Sequence, residues 1–351
     1  MKITFCMPGY NRKPIGGYKM VYEYANRLVE KGHDVSIVFV VGKALNKIKL
    51  PSQVKLLWGK GIVTIFPRWF KLDKRIKKIA VLEIKDKYIP DSEVIFATGI
   101  ATAEPIKNLS ESKGRKFYLI QDFENWRHND SYVFETYGYG LKNIVVASWL
   151  KEIVDRYSNE PSILIKNAID TKVFKINIKP EDRYDYSIAA LYHIGEYKGS
   201  KYTIEALIQL KEKYPELRAT LFGNPERPSN LPEWIKYIQR ATKEEVIDIY
   251  NSSAVFMCTS IKEGFGLTGA ESMACGCAFV STDYQGVHEY AINNKNALLS
   301  KINRVDLIVE NIEKIFENRE LRFKLAYEGN NDIQKLSWEI SYENFEKALK
   351  E

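Results

Sequence analysis

Hydrophobic positions along this chain recur at two periods, and the switching between them predicts the elements. "KITFCM" is a short apolar strand, and "PGYNRKPIGG" is a glycine-bearing loop. Over "YKMVYEYANRLVEKG" the period becomes helical: Met20, Val21, Tyr24, Ala25, Leu28 and Val29 share one face, and Gly32 follows where a helix end favours glycine. "HDVSIVFVV" returns to a strand. Strand, helix and strand in such short compass make a βαβ unit of a parallel sheet. Further buried-type strands are predicted at 93–99, 116–122 and 143–148.

The pattern breaks over "NAIDTKVFKINIKPEDR" (167–183), a polar, irregular stretch suited to a linker, and then restarts. Strand "YSIAALYHI", helix "SKYTIEALIQLKEKY", strand "RATLFG" and a short strand near "KYIQRA" come first. Helix "KEEVIDIYNSS" follows, with Thr242 and Glu245 at capping-box spacing. Strand "AVFMCTS", the segment "KEGFGLTGAESMACG", strand "AFVSTD" and helix "NRVDLIVENIEKIFEN" complete this half, and "LSWEISYENFEKALKE" reads as a terminal amphipathic helix. A chain of 351 residues is long for one core. The expected fold class is α/β with two doubly wound parallel-sheet domains, 1–168 and 169–330, and a helical tail, 331–351. Ligands of such sheets bind at the carboxyl ends of the strands, so the site is expected in a cleft between the domains.

Composition narrows the class. Hydrophobic residues make up 45% and charged residues 28%, ordinary values for a globular protein. No apolar run approaches about 18 residues, so no transmembrane helix is expected. The opening residues lack a signal-peptide cleavage pattern, which points to the cytoplasm. Cys6, Cys258, Cys275 and Cys277 form no CxxC pair, so buried thiols are expected, with neither disulfides nor a metal site. The net charge of +7 is uneven. In "FPRWFKLDKRIKK" (66–78) six basic side chains stand against Asp73 alone, interleaved with Trp69, Phe70, Leu72 and Ile76. That stretch reads either as a segment lying on an anionic membrane surface or as a solvated face. No zinc-finger or RNA-binding aromatic motif accompanies it, so no nucleic-acid partner is expected.

Three glycine loops carry the candidate chemistry. In "KEGFGLTGAE" a glycine-rich loop runs into a helix start, where free amides and the positive end of the helix dipole attract a phosphate. Glu263 just outside can accept hydrogen bonds from hydroxyls, and Glu271, one turn inside, from a ribose diol. Taken alone the segment reads equally as an ordinary helix start. "RKPIGGY" places Gly16 and Gly17 at a second strand-to-helix loop, and "GEYKGS" places Lys198 beside Gly199. Each is weak by itself; a lysine there is suited to a diphosphate.

Together these segments resemble the family-four glycosyltransferases of the GT-B fold, over nearly the whole length. "PIGGYKMVYEYANRLVEKGHDVSIV" is similar to that family's first loop and helix, and "NAIDTKVF" to its interdomain segment. "YKGSKYTIEAL" is similar to its Lys-Gly loop, and "CTSIKEGFGLTGAESMACGCAFVSTDYQGVHEYAINNKNALL" to its Glu-x7-Glu block. The resemblance implies two Rossmann-like domains facing across a cleft, with the C-terminal helix of 331–351 crossing back to the first domain, and a retaining, metal-independent transfer from a nucleoside-diphosphate sugar, with no separate cofactor. The acceptor it implies is a glycan or a lipid-linked glycan, which would give 66–78 a purpose on the inner face of a membrane. It assigns Glu263 to the hydroxyls of the transferred sugar and Glu271 to the ribose. The amides of Phe265, Gly266, Leu267 and Thr268 and the Lys198 side chain go to the diphosphate, with Gly16 and Gly17 closing on it. The backbone at Gln239 and Arg240 goes to the base.

Two departures qualify the assignment. The family's Gly-Arg pair before the lysine is Tyr192-His193 here, and a histidine is mostly neutral at pH 7. The family often shows a histidine after a late strand of the first domain, whereas this chain reads "YLIQDFENW". The acceptor-side role then falls to Asp122 or Glu124, with His128 behind them. "QDFE" is similar to rhamnosyltransferases of the family. The sequence leaves open a GT-B nucleotide-sugar epimerase and a catalytically silent binding protein.

Overall fold

The computed structural model describes residues 1–45, 49–126 and 128–351. Two compact units form, one of Met1–Lys166 with Tyr342–Glu351 and the other of Asn167–Ser341.

The first unit is a seven-stranded, all-parallel sheet of β1 (Lys2–Met7), β2 (Asp34–Val40), β3 (Lys77–Val81), β4 (Val94–Ala97), β5 (Arg115–Ile120), β6 (Lys142–Val145) and β7 (Ile163–Leu164). Strand order is β3-β2-β1-β4-β5-β6-β7, so the chain turns back between β1 and β4. Its helices are α1 (Gly16–Glu30), α2 (Gly42–Leu45), α3 (Ser52–Ile65), α4 (Ile100–Lys107), α5 (Asp130–Tyr137) and α6 (Ser148–Val154). The central strands are apolar runs buried on both faces, as a sheet covered on both sides requires. Phe5, Phe96 and Phe345 stack in the middle of this core; Phe345 comes from the chain's terminal helix.

The second unit repeats the plan with six parallel strands: β8 (Ser187–Leu191), β9 (Arg218–Gly223), β10 (Ile235–Gln239), β11 (Val255–Cys258), β12 (Ala278–Thr282) and β13 (Leu298–Ser300). Their order, β10-β9-β8-β11-β12-β13, reverses between β8 and β11. Helices α7 (Ser200–Lys213), α8 (Lys243–Ser252), α9 (Leu267–Ala274), α10 (Val305–Glu317) and α11 (Arg319–Ile333) flank it, and α12 (Trp338–Lys350) ends the chain. Thr242 and Glu245 make the reciprocal capping box, at 3.2 and 2.7 Å. All four cysteines are free thiols and buried.

Several details differ from the sequence reading. Residues 167–183 are irregular, yet they belong to the second unit rather than spanning freely. Ile169 and Phe174 are buried there, and the Arg183 guanidinium donates to the carbonyls of Ile178, Ser253, Cys275 and Gly276. Of the tail 331–351, residues through Ser341 stay with the second unit, where Ile333 is buried and the Ile169 amide donates to Leu336 O at 2.8 Å, and the first unit resumes at Tyr342. Residues 66–78 form neither a helix nor an outward aromatic face. Trp69 and Phe70 lie 5.7 and 5.4 Å from the Tyr22 ring of α1, and Trp69 Nε1 donates to Asn11 O at 3.1 Å. Three of their six cations are engaged locally: Arg75 with Asp73, Lys77 with Asp34, and Lys78 with the carbonyls of Thr64 and Phe66. Among the described residues no helix is long and apolar enough to cross a membrane.

Candidate active site

The site in the second unit is built at the strand pair where chain order reverses, β8 and β11, beyond their carboxyl ends. Two loops meet there. The loop after β8 carries His193 and Lys198; the loop after β11 carries Glu263 and leads through Gly266 into α9. Backbone hydrogen bonds join them, since the amides of Ile261 and Lys262 donate to Tyr197 O at 2.7 and 3.2 Å. Both loops need glycine at one position. Gly199 has φ 64°, and a Cβ on it would stand 1.9 Å from Thr259 O. Gly266 has φ 91°, and a Cβ would stand 2.1 Å from the Tyr284 hydroxyl.

Across the joined loops Lys198 Nζ reaches Glu263 Oε2 at 2.9 Å, while Ser260 Oγ donates to Glu263 Oε1 at 2.5 Å. Burial would lower the Lys198 ammonium, but the Glu263 charge and hydrogen bond outweigh it, so its pKa stands above the ordinary lysine value. Glu263 and Glu271 are 8% and 7% exposed. Glu263 is thus held as a preformed acceptor beside a cation, not as a solvated loop acid. Glu271 sits one turn inside α9, close enough to Tyr250 that its charge adds to burial in raising the phenol well above its usual range.

The start of α9 has no side-chain cap. The amides of Gly269 and Ala270 turn back to Gly266 O, at 3.1 and 3.4 Å, leaving the Leu267 and Thr268 amides as the orphan donors of the first turn. Phe265 is buried against Tyr290, and the Tyr290 hydroxyl donates to Gly266 O at 2.9 Å, so an aromatic floor fixes the loop's path. His193 lies half-buried on the same loop as Lys198. Its Nδ1 accepts the Gly195 amide at 2.9 Å, and burial, then the Lys198 charge, push its pKa below the ordinary histidine value. The ring is therefore neutral at pH 7 and carries its proton on Nε2. Arg240, just after β10, has a left-handed conformation, φ 54°, and is exposed, with its amide held by Gly223 O at 2.6 Å. Among the described residues no group of three or more His, Cys, Asp or Glu side chains is placed to hold a metal.

The first unit has its own constellation where its strand order reverses, beyond β1 and β4. Gly16 and Gly17 open α1, and Gln121 Nε2 donates to Gly17 O at 3.1 Å. The Gln121 Oε1 is buried without a hydrogen-bond partner. Of the acidic pair, Asp122 Oδ1 accepts the adjacent Phe123 amide at 2.8 Å, a local turn. Glu124 Oε2 instead takes the Ile100 amide, at the start of α4, at 2.9 Å. Burial raises Glu124 to about 7, in spite of that amide. Both acids stay candidates for the acceptor side, and the Asp122 charge adds to the rise of Glu124. His128 is exposed and stacks on Tyr132 at 4.9 Å.

The sequence reading thus named both members of the Lys198–Glu263 pair but not their contact. It missed Ser260, the Tyr284–Tyr290 floor and Gln121, for which no motif gave a signal. A cavity of about 300 Å³ opens near β12 and β13, lined by Asp283, His288, Asn293, Ser300 and Lys301 among others; it includes none of the expected residues.

Residues 169–332 match the family model of glycosyl transferases group 1. Over this stretch the chain is similar to the group 1 glycosyl transferases. The matched residues lie within the second unit and include Lys198, Glu263 and Glu271. An uncharacterized glycosyltransferase of Methanocaldococcus jannaschii is 25% identical over 214 residues, 60% of this chain and 59% of that protein. The N,N'-diacetylbacillosaminyl-diphospho-undecaprenol alpha-1,3-N-acetylgalactosaminyltransferase of Campylobacter jejuni is 27% identical over 149 residues, 41% of this chain and 38% of that one. The chain therefore spans less than two thirds of these relatives' lengths. In fold, the whole chain is similar to Anabaena HepE in complex with UDP and glucose, with a TM-score of 0.72, 14% identity, and coverage of 100% and 99%. The fold is GT-B.

Proposed function

We propose that this protein is a retaining glycosyltransferase that moves a sugar from a nucleoside-diphosphate sugar to a glycan or lipid-linked glycan. The observation that carries the reading is the pair of partly buried Lys198 and buried Glu263 beside the uncapped start of α9. A diphosphate finds there one cation and the orphan amides of Leu267 and Thr268, which together meet the charge that develops as the bond to the sugar breaks. Glu263, held by Ser260 and Lys198, accepts from the sugar's hydroxyls; Glu271 accepts from the ribose. The C1–O bond to the diphosphate breaks, the acceptor oxygen bonds C1 on the same face, and the acceptor's proton passes to the leaving phosphate. His193, neutral, donates through Nε2 where the family has a permanent charge. The acceptor falls to the first unit, with Asp122 or Glu124 to position its hydroxyl. Support for the donor class comes from HepE, solved with UDP and glucose, and for a lipid-linked acceptor from the Campylobacter relative, whose name specifies a diphospho-undecaprenol substrate.

Product analysis by mass spectrometry and NMR tests the reading. Wild type is expected to make an α-configured product from an α-linked donor, also in the presence of a chelator. Glu263→Gln is expected to lower transfer about 100-fold or more. No donor turnover by wild type would replace it with the silent reading, isomerised donor without transfer with the epimerase reading, and equal turnover in Glu263→Gln would remove Glu263 from the chemistry.

A further inference from the structure

The outer face of α3 is apolar. Its inner face packs on the sheet, with Gly59 and Val63 buried. At 3.6 residues per turn, Val54, Leu57, Trp58, Gly61 and Ile65 fall on the opposite side. There Leu57 is 72% exposed, Trp58 50%, Ile65 50% and Val54 45%, and Leu50, just before the helix, is 38% exposed. A surface helix of a globular protein normally turns polar residues to water; this one, SQVKLLWGKGIVTI, has no acidic residue and is apolar on both faces. Contiguous exposed apolar side chains of this kind mark a contact surface.

Charge says what the contact is with. Between Asp34 and Glu83 the sequence holds eleven lysines and arginines and one carboxylate, Asp73, which Arg75 occupies at 2.7 Å. Lys55 and Lys60 flank the apolar face of α3, and Arg12 and Arg68 gather on the Phe66 ring at its end, at 5.4 and 5.6 Å. A second copy of the chain fits poorly, since a two-fold contact over α3 would set this basic rim against itself.

We propose that α3 is the surface by which this protein lies on an anionic bilayer. Leu57, Trp58, Val54 and Ile65 enter the boundary between headgroups and acyl chains, and Lys55, Lys60 and Arg68 meet lipid phosphates. This moves the membrane contact from 66–78, whose aromatic residues are packed inward, to the preceding helix. The proposal deepens the lipid-linked reading of the acceptor, but its test uses neither donor nor acceptor, so the two fail separately.

The test is co-sedimentation of the full chain with vesicles of phosphatidylcholine, alone and mixed with phosphatidylglycerol. Binding is expected to the mixed vesicles only, and to fall as salt rises. Leu57→Ser with Trp58→Ser is expected to weaken it about tenfold or more, with an unchanged melting temperature because both side chains are exposed. Lys55→Ser and Lys60→Ser are expected to cost about fivefold each. The proposal is overturned by indifference to lipid charge, by unaltered binding of the Leu57/Trp58 variant, or by a dimer that depends on Leu57 and Trp58 and ignores vesicles.

Discussion

A carboxyl and an ammonium can each be tuned by what touches them, and this chain does both. Lys198 is partly buried, and Glu263 beside it keeps the ammonium charged there. Glu124 is the reverse case: burial raises it from 4.5 to about 7, and only one amide opposes. Between those two values the folded protein holds a proton that the unfolded chain has released. Stability therefore falls as pH rises through that window, by about 2 kcal/mol. Urea unfolding at about pH 5 and about pH 7.5 measures the slope, and Glu124→Gln is expected to flatten it. An unchanged slope in that variant would mean that Glu124 ionises normally. Such tuning is invisible in a sequence. "QDFENW" shows two acids two residues apart, and only the fold reveals that Asp122 Oδ1 takes the Phe123 amide while Glu124 meets the start of α4.

At the scale of elements, legibility followed periodicity. Helix α1 was readable because six apolar residues share one face, and α8 because Thr242 and Glu245 announce its cap. The loop-to-helix turn at 262–276 was readable because glycine there answers a geometric need. Gly266→Ala is expected to destabilise the second unit by about 2–4 kcal/mol, since the methyl would have to displace the Tyr284 hydroxyl in a left-handed backbone. Chemical denaturation checks this, and a loss under about 0.5 kcal/mol would show that the aromatic floor yields freely. Helix α3 was missed for a physical reason: apolar on both faces and broken by Gly59 and Gly61, it shows no single stripe. Strand β3 was missed because Lys77 and Lys78 at its start read as part of a charged run.

For the whole molecule, two parallel sheets were legible from the restart of the strand–helix pattern, and each places its candidate residues beyond the strands where chain order reverses. The exact seams were not legible. Arg183 and Phe174 tie the apparent linker into the second unit through contacts distant in sequence, and the chain re-enters the first unit within α12. The stretch similar to group 1 glycosyl transferases lies within the second unit, which makes donor binding the property on which the account turns. Isothermal titration with UDP, GDP, dTDP and ADP, on wild type and on Lys198→Met, tests it most directly. The account predicts that at least one of the four binds wild type and is weakened about tenfold or more in the variant, titrated below its own melting temperature, which the unpaired Glu263 lowers. Binding of none of them, or equal binding with and without the Lys198 ammonium, would contradict it.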